Sequence, residues 1–130
     1  MNILITGSKG QLGSEIQRLA EGWDNEDFHF IFTDKEELDI TDRNAVYEFV
    51  ELNNISIIVN CAAYTAVDKA EEDAELCELL NHVAPSYLAE AIDNMGGSMI
   101  QISTDYVFDG KNYRPYTEDD LTNPQSVYGR

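Results

Sequence analysis

The chain is short of three things. No apolar run approaches the roughly 20 residues that cross a bilayer, and its opening, M-N-I-L-I-T, reads as a strand rather than a signal peptide. That reading places the protein in the cytoplasm, with no membrane partner. Basic residues are few: 8 Lys and Arg stand against 25 Asp and Glu, a formal net charge of −17. Such a field repels polyanions, which argues against nucleic acid and anionic membranes as partners, so any phosphate ligand must be held locally. The acids fall in runs such as Glu36-Glu37, Glu71-Glu72-Asp73 and Glu118-Asp119-Asp120, the pattern of a solvated surface. Cysteine is scarce as well. Cys61 and Cys77 lack metal-type spacing, so they read as structural thiols and no metal site is expected. With no internal repeat and no low-complexity linker, the 130 residues are one domain.

What the sequence does have is concentrated at its start. The apolar run Ile3 to Ile5 meets Gly7, Gly10 and Gln11-Leu12-Gly13, the pattern of a buried strand turning sharply into a helix. Gly7 permits the turn, Gly10 lets backbone approach a bulky anion, and Gly13 lets the helix sit close on the sheet. The helix N-terminus then offers amides and a positive dipole end to a pyrophosphate. Leu12, Ile16, Leu19 and Ala20 form the helical stripe that follows.

Further strands are expected at Phe28 to Phe32, at Leu38-Asp39-Ile40 (very short), at Ile55 to Cys61 and at Ser98 to Ser103. The run Ile55 to Cys61, I-S-I-I-V-N-C, reads as the continuous apolar kind found in central parallel strands covered on both faces. Between them, Thr41 or Asp42 caps a helix to about Asn53 whose buried face is Ala45, Val46, Phe49 and Val50. Thr65 to Asp68 resembles a cap for a long helix through Cys77, Leu80, Ala84, Leu88, Ala91 and Met95, ended by Gly96-Gly97. Pro85 inside that helix removes the amide that Asn81 needs and bends the axis. Alternation of strand and helix with right-handed crossovers predicts an α/β fold, a Rossmann-type doubly wound parallel sheet. Its ligand rim then collects Thr6, Asp34, Asn60, Thr65, Thr104 and Asp105. Asp34, at the end of the second strand and about twenty residues past the glycines, suits the adenosine ribose hydroxyls and favours NAD over NADP. Lys35 beside it pulls the other way, since a cation there neutralises a ribose phosphate.

The T-G-x-x-G-x-x-G start, N-C-A-A-Y-T-A-V-D-K-A-E (Asn60 to Glu71) and S-T-D-Y-V-F-D-G (Ser103 to Gly110) together resemble the extended short-chain dehydrogenases/reductases over essentially the whole chain. Within that family the chain is most similar to members that reduce the 4-keto group of a dTDP-deoxyhexulose with NADH or NADPH. The resemblance implies that Gly7, Gly10, Gln11, Leu12 and Gly13 line the pyrophosphate and that Asp34, Asp39 and Ile40 flank the adenosine half. It implies that Ala62, Ala63, Tyr64, Thr65 and Ile102 border the nicotinamide, that Thr104 and Tyr128 are catalytic, and that Thr104 and Asp105 meet the dTDP-sugar. In that scheme Tyr128 donates a proton to the developing alkoxide while Thr104 hydrogen-bonds it.

The family pattern is Y-x-x-x-K, and the lysine position falls beyond Arg130. The sequence is therefore expected to be an N-terminal NAD(P)-binding domain, residues 1–130, truncated before the last strands of its sheet and the substrate lobe. It should bind the dinucleotide weakly, turn over nothing, and expose apolar surface that leaves a homodimer open. Alternatives that keep the fold are a sugar-nucleotide epimerase or dehydratase. A non-catalytic regulatory subunit of the same fold is a further alternative, against which the intact glycine loop, Thr104 and Tyr128 lean, and a plain nucleotide-binding module would not need the Thr104 and Tyr128 pair.

Overall fold

The computed structural model describes residues 1–23 and 26–130. Four strands, β1 (Asn2–Thr6), β2 (His29–Thr33), β3 (Ile55–Asn60) and β4 (Ser98–Gln101), form one sheet in the order β2-β1-β3-β4. All three pairings are parallel, with Leu4 opposite both Ile31 and Ile58, and Ile58 opposite Met99. The helices are α1 (Gln11–Ala20), α2 (Arg43–Leu52), α3 (Val67–Ala70), α4 (Ala74–Glu78) and α5 (Ala84–Asn94). The chain moves one way across the sheet from β1 to β2 and the other way to β3 and β4. Right-handed crossovers therefore put α1 on one face and α2 with α5 on the other, which is the doubly wound arrangement.

The core lies on the α2/α5 side. Leu4 and Ile58 from the sheet meet Val46 and Val50 of α2 and Ala84, Leu88, Ala91 and Ile92 of α5, all buried. Asp42 caps α2, its carboxylate accepting from the Asn44 and Ala45 amides at 3.0 and 3.1 Å. Gly96, at φ +68°, ends the last helix as expected.

Several expectations need correction. Leu38-Asp39-Ile40 is not a strand. The Glu37 and Leu38 amides return to the Asp34 carbonyl at 3.1 and 2.9 Å, and the Asp42 amide returns to Asp39 at 3.1 Å, so two turns run in succession. Leu38 and Ile40 are buried nonetheless, plugged into the core from a loop. The stripe on α1 is also rotated. Gly13, Ile16 and Ala20 turn inward while Leu12 and Leu19 are exposed, because the close approach of Gly13 sets the helix's contact line. β3 is central but not covered on both faces: Ile57 and Val59 are half-buried, since α1 packs over β2 rather than over β3 and β4. On that same face Ile100 is 54% exposed and Ile102 42%.

The long helix does not start at Thr65 to Asp68. A single turn, α3, is followed by a break at Glu71-Glu72-Asp73, where the Glu72 and Asp73 amides both bond Lys69 O. Nor is it α-helical throughout. A π-helical turn, Leu79–Val83, sits just ahead of Pro85 and passes the missing amide into α5, whose first turn holds the proline. Met95, taken as a buried position, is exposed.

Candidate active site

The site is built where three strands end. Thr6 Oγ1 donates to Asn60 Oδ1 at 2.5 Å, and Asn60 Nδ2 donates to Gln101 Oε1 at 2.8 Å, lacing β1, β3 and β4 together at their C-terminal rim. Asn60 is fully buried, and these bonds satisfy it. The backbone ladder runs on past the strands, with Ser8 N bonding Thr33 O, Cys61 N bonding Thr6 O and Ile102 N bonding Asn60 O. The loops that follow are therefore fixed to the sheet.

The glycine turn is shaped by contact as much as by dihedral. Gly7 sits at φ +64°, and a β-carbon there would lie 2.7 Å from the Ala62 backbone. At Gly13 a β-carbon would lie 2.3 Å from Gly7 O and 2.7 Å from Ser8 Cα. Gly13 thus lets α1 close on the turn itself rather than on the sheet. Gly10, at the head of α1, brings no side-chain cap, and the helix's first turn holds no acid. The helix end is left uncapped, and Gly10 at its head lines both clefts of the site.

Two clefts flank this turn and share Gly10, Cys61, Ala62 and Ala63 as their common wall. The larger, about 570 Å³, is lined by Gln11, Leu12, Thr65, Asn81, Ile102, Ser103, Thr104 and Tyr128 among others. The smaller, about 420 Å³, takes Gly7, Thr33, Asp34, Lys35, Asp39, Ile40 and Thr41. So the residues expected to line a pyrophosphate sit between those expected for an adenosine half and those expected for a nicotinamide half. Three expected residues line neither cleft. Gly13 is buried behind the turn, Tyr64 is held by its backbone, and Asp105 is exposed at the start of the short 3-10 turn Asp105–Val107.

Side chains in the smaller cleft are partly committed. Asp34 accepts from the Lys35 amide at 2.8 Å and the Lys9 amide at 3.1 Å, and these bonds, the first most, hold its carboxyl below the usual range. Asp39 accepts from the Thr41 hydroxyl at 2.6 Å and amide at 3.0 Å, which likewise lowers it. Thr33 is 2% exposed and its Oγ1 has no hydrogen-bond partner among the described residues. A buried hydroxyl left over in a cleft wall is a place for a ligand atom.

In the larger cleft, the Thr104 hydroxyl accepts the Tyr106 amide at 3.2 Å, which caps the 3-10 turn, and donates its own proton to Asp105 Oδ1 over a long 3.4 Å. Tyr106 meets the Tyr128 ring edge-on at 5.5 Å between centroids. The segment bearing Tyr128 is tied to the body by Glu71, whose Oε1 accepts the Val127 amide at 2.9 Å. Cys61, in the wall between the clefts, is pushed up by burial, as is Cys77; both are free.

Sequence reasoning missed four contributors. Lys9 and Glu71 act through partners far along the chain, and Thr33 through a buried hydroxyl left without one among the described residues, so no local spacing marks them. Asn81 was singled out for its carbonyl, whereas its side chain is what reaches the site, bonding the Tyr64 backbone.

A family model described as RmlD substrate binding domain matches residues 1–130. Among curated relatives, the dTDP-4-dehydrorhamnose reductase of Streptomyces griseus is 42% identical over 126 residues, covering 97% of this chain and 40% of that protein. The solved dTDP-4-dehydrorhamnose reductase of Clostridium acetobutylicum superposes with a TM-score of 0.93 at 47% identity, over 99% of this chain and 45% of that one. The Bacillus anthracis enzyme of the same name, in complex with NADP, gives 0.91 at 37% identity, over 98% and 44%. The chain spans about two-fifths of the length of the curated relatives it matches.

Proposed function

The chain belongs to the RmlD substrate binding domain family, and from that membership we propose that it is the dinucleotide-binding part of a dTDP-4-dehydrorhamnose reductase. NADH or NADPH lies across the glycine turn, adenosine in the smaller cleft and nicotinamide in the larger. The observation that carries this reading is the pair of clefts meeting at one uncapped helix N-terminus, with Thr104 and Tyr128 together in one of them. The fit is supported by the cradle that a β-carbon at Gly7 or Gly13 would fill, and by the leftover hydroxyl of Thr33.

When bound, the reduced nicotinamide supplies the hydride. The α1 amides hold the diphosphate against the protein's overall negative field. Thr104, already accepting from Tyr106, turns its proton from its long bond to Asp105 toward the sugar's 4-oxygen, and Tyr128 gives a proton to that oxygen as charge develops on it. Asp105, exposed beside Thr104, is positioned for hydroxyls of the dTDP-sugar. In the family pattern a lysine four residues past the tyrosine assists this proton transfer, and Arg130 lies at the wrong spacing to take that place. The chain matches about two-fifths of its relatives' length, and in our reading this part binds the dinucleotide while turnover draws on the rest of that length. We place the protein in the cytoplasm.

Titrating NADH and NADPH by nucleotide fluorescence, beside a steady-state assay on the dTDP-4-keto sugar, tests this. Saturable binding with no turnover is expected. Failure to bind either nucleotide, or sustained turnover by this chain alone, overturns it.

A further inference from the structure

The turn after β2 carries more charge than one ribose needs. Asp34 and Lys35 line the smaller cleft, and Glu36, Glu37 and Lys9 stand beside them, so three carboxylates and two ammonium groups gather around Asp34. Their partners divide the work. The Asp34 carboxylate ties the two loops together through the Lys9 and Lys35 amides, while Glu37 Oε2 accepts the Asp34 amide at 2.9 Å. Lys9, pinned at its backbone beside Asp34, forms an ion pair with Glu36 through its side chain. The Lys9 ammonium is thereby stabilised in its charged form, chiefly by that hydrogen bond. Both ends of the pair stay open to water, at 58% and 78% side-chain exposure.

A dinucleotide with a bare adenosine ribose asks only for an acceptor there. One with a phosphate on that ribose brings about two negative charges to a spot already holding the Asp34 carboxylate. It needs a cation that is not already taken. We infer that Glu36 sets cofactor preference, by holding the Lys9 ammonium away from a ribose phosphate and so biasing the cleft toward the unphosphorylated dinucleotide. This rests on the reading of the smaller cleft as the adenosine half. Lys35, on the same turn, shows no ion pair among the described residues and supplies a second, weaker attraction that lets the phosphorylated form bind at all.

The test is a double-mutant cycle on the dissociation constants for NADH and NADPH, at one ionic strength, in wild type, Glu36→Gln, Lys9→Met and the double variant. Both positions are exposed, so the variants keep the fold. Glu36→Gln should tighten NADPH by about fivefold and leave NADH within about twofold, the scale of an exposed charge pair meeting a phosphate. In the Lys9→Met background the same change should lose most of that gain. An unchanged NADH/NADPH ratio in Glu36→Gln, or a gain that persists without Lys9, overturns the inference while nucleotide binding itself stands. Binding of neither nucleotide to wild type instead overturns the reading of the cleft, and the inference with it.

Discussion

Asn81 holds Tyr64 by both ends of one residue. Its Oδ1 accepts the Tyr64 amide at 2.8 Å and its Nδ2 donates to the Tyr64 carbonyl at 3.0 Å, across 17 residues of sequence. The same Nδ2 lies 3.5 Å from Cys77 Sγ. The clamp imitates one rung of a parallel sheet, applied by a side chain to a loop that has no strand beside it. That loop carries Cys61, Ala62 and Ala63, which both clefts share, and Thr65, which lines the larger. The π-helical turn that makes room for Pro85 also carries Asn81, so the irregular helix and the wall of the site are parts of one arrangement.

Asn81→Ala removes both bonds and leaves two backbone groups of a half-buried residue without partners. A loss of about 1–3 kcal/mol in chemical denaturation is expected, together with weaker NADH and NADPH binding. Asn81→Asp should recover little, because a carboxylate keeps the acceptor but places charge against the Tyr64 carbonyl. Full recovery of nucleotide binding in Asn81→Ala would show that the loop keeps its shape unaided.

The strands were legible because each is a short apolar run stopped by a residue that resists a strand: Gly7 after Thr6, Asp34 after Thr33, Gly96-Gly97 before Ser98. Strand order followed from the alternation with helices. What misled was local pattern serving another end. Leu38 and Ile40 alternate like strand residues, yet they are buried from a loop whose amides bond backward to Asp34. Leu12 and Leu19 step like a buried stripe, but the close approach at Gly13 turns the helix by one row. Glu71, in an acid run that reads as solvated surface, is spent on the Val127 amide 56 residues away, a partner no window of sequence contains.

Asp39 links stability to acid. Its carboxyl is held below the ordinary value of about 3.9 by the Thr41 hydroxyl first and the Thr41 amide second. A depressed folded-state value means that the charged form is favoured by folding. The contribution is therefore fully present above the unfolded value and is lost as pH falls through the folded one. Asp39→Asn should lower the melting temperature by a constant amount above about pH 5, with the gap to wild type closing below about pH 4. A gap that stays open in strong acid would assign the effect to shape rather than charge. Asp34, lowered in the same direction by the Lys35 and Lys9 amides, should add to the wild-type slope over the same range.

Thr33 separates stability from binding. Its hydroxyl is buried at the end of β2, in the wall of the smaller cleft, with no partner among the described residues. Burial of an unpaired hydroxyl costs about 1–3 kcal/mol, so a residue kept for folding alone would be better as valine, which fills nearly the same space. Thr33→Val should consequently melt at the same temperature as wild type or higher. If the hydroxyl meets the adenosine half, the same variant should bind NADH and NADPH more weakly, by about fivefold for one neutral hydrogen bond. Both nucleotides should weaken together, because the lost bond lies behind Asp34 and away from the Lys9 and Glu36 pair that separates them. A variant that is less stable, with binding intact, would mean that Thr33 finds its partner within the protein and that this cleft wall is closed to the ligand.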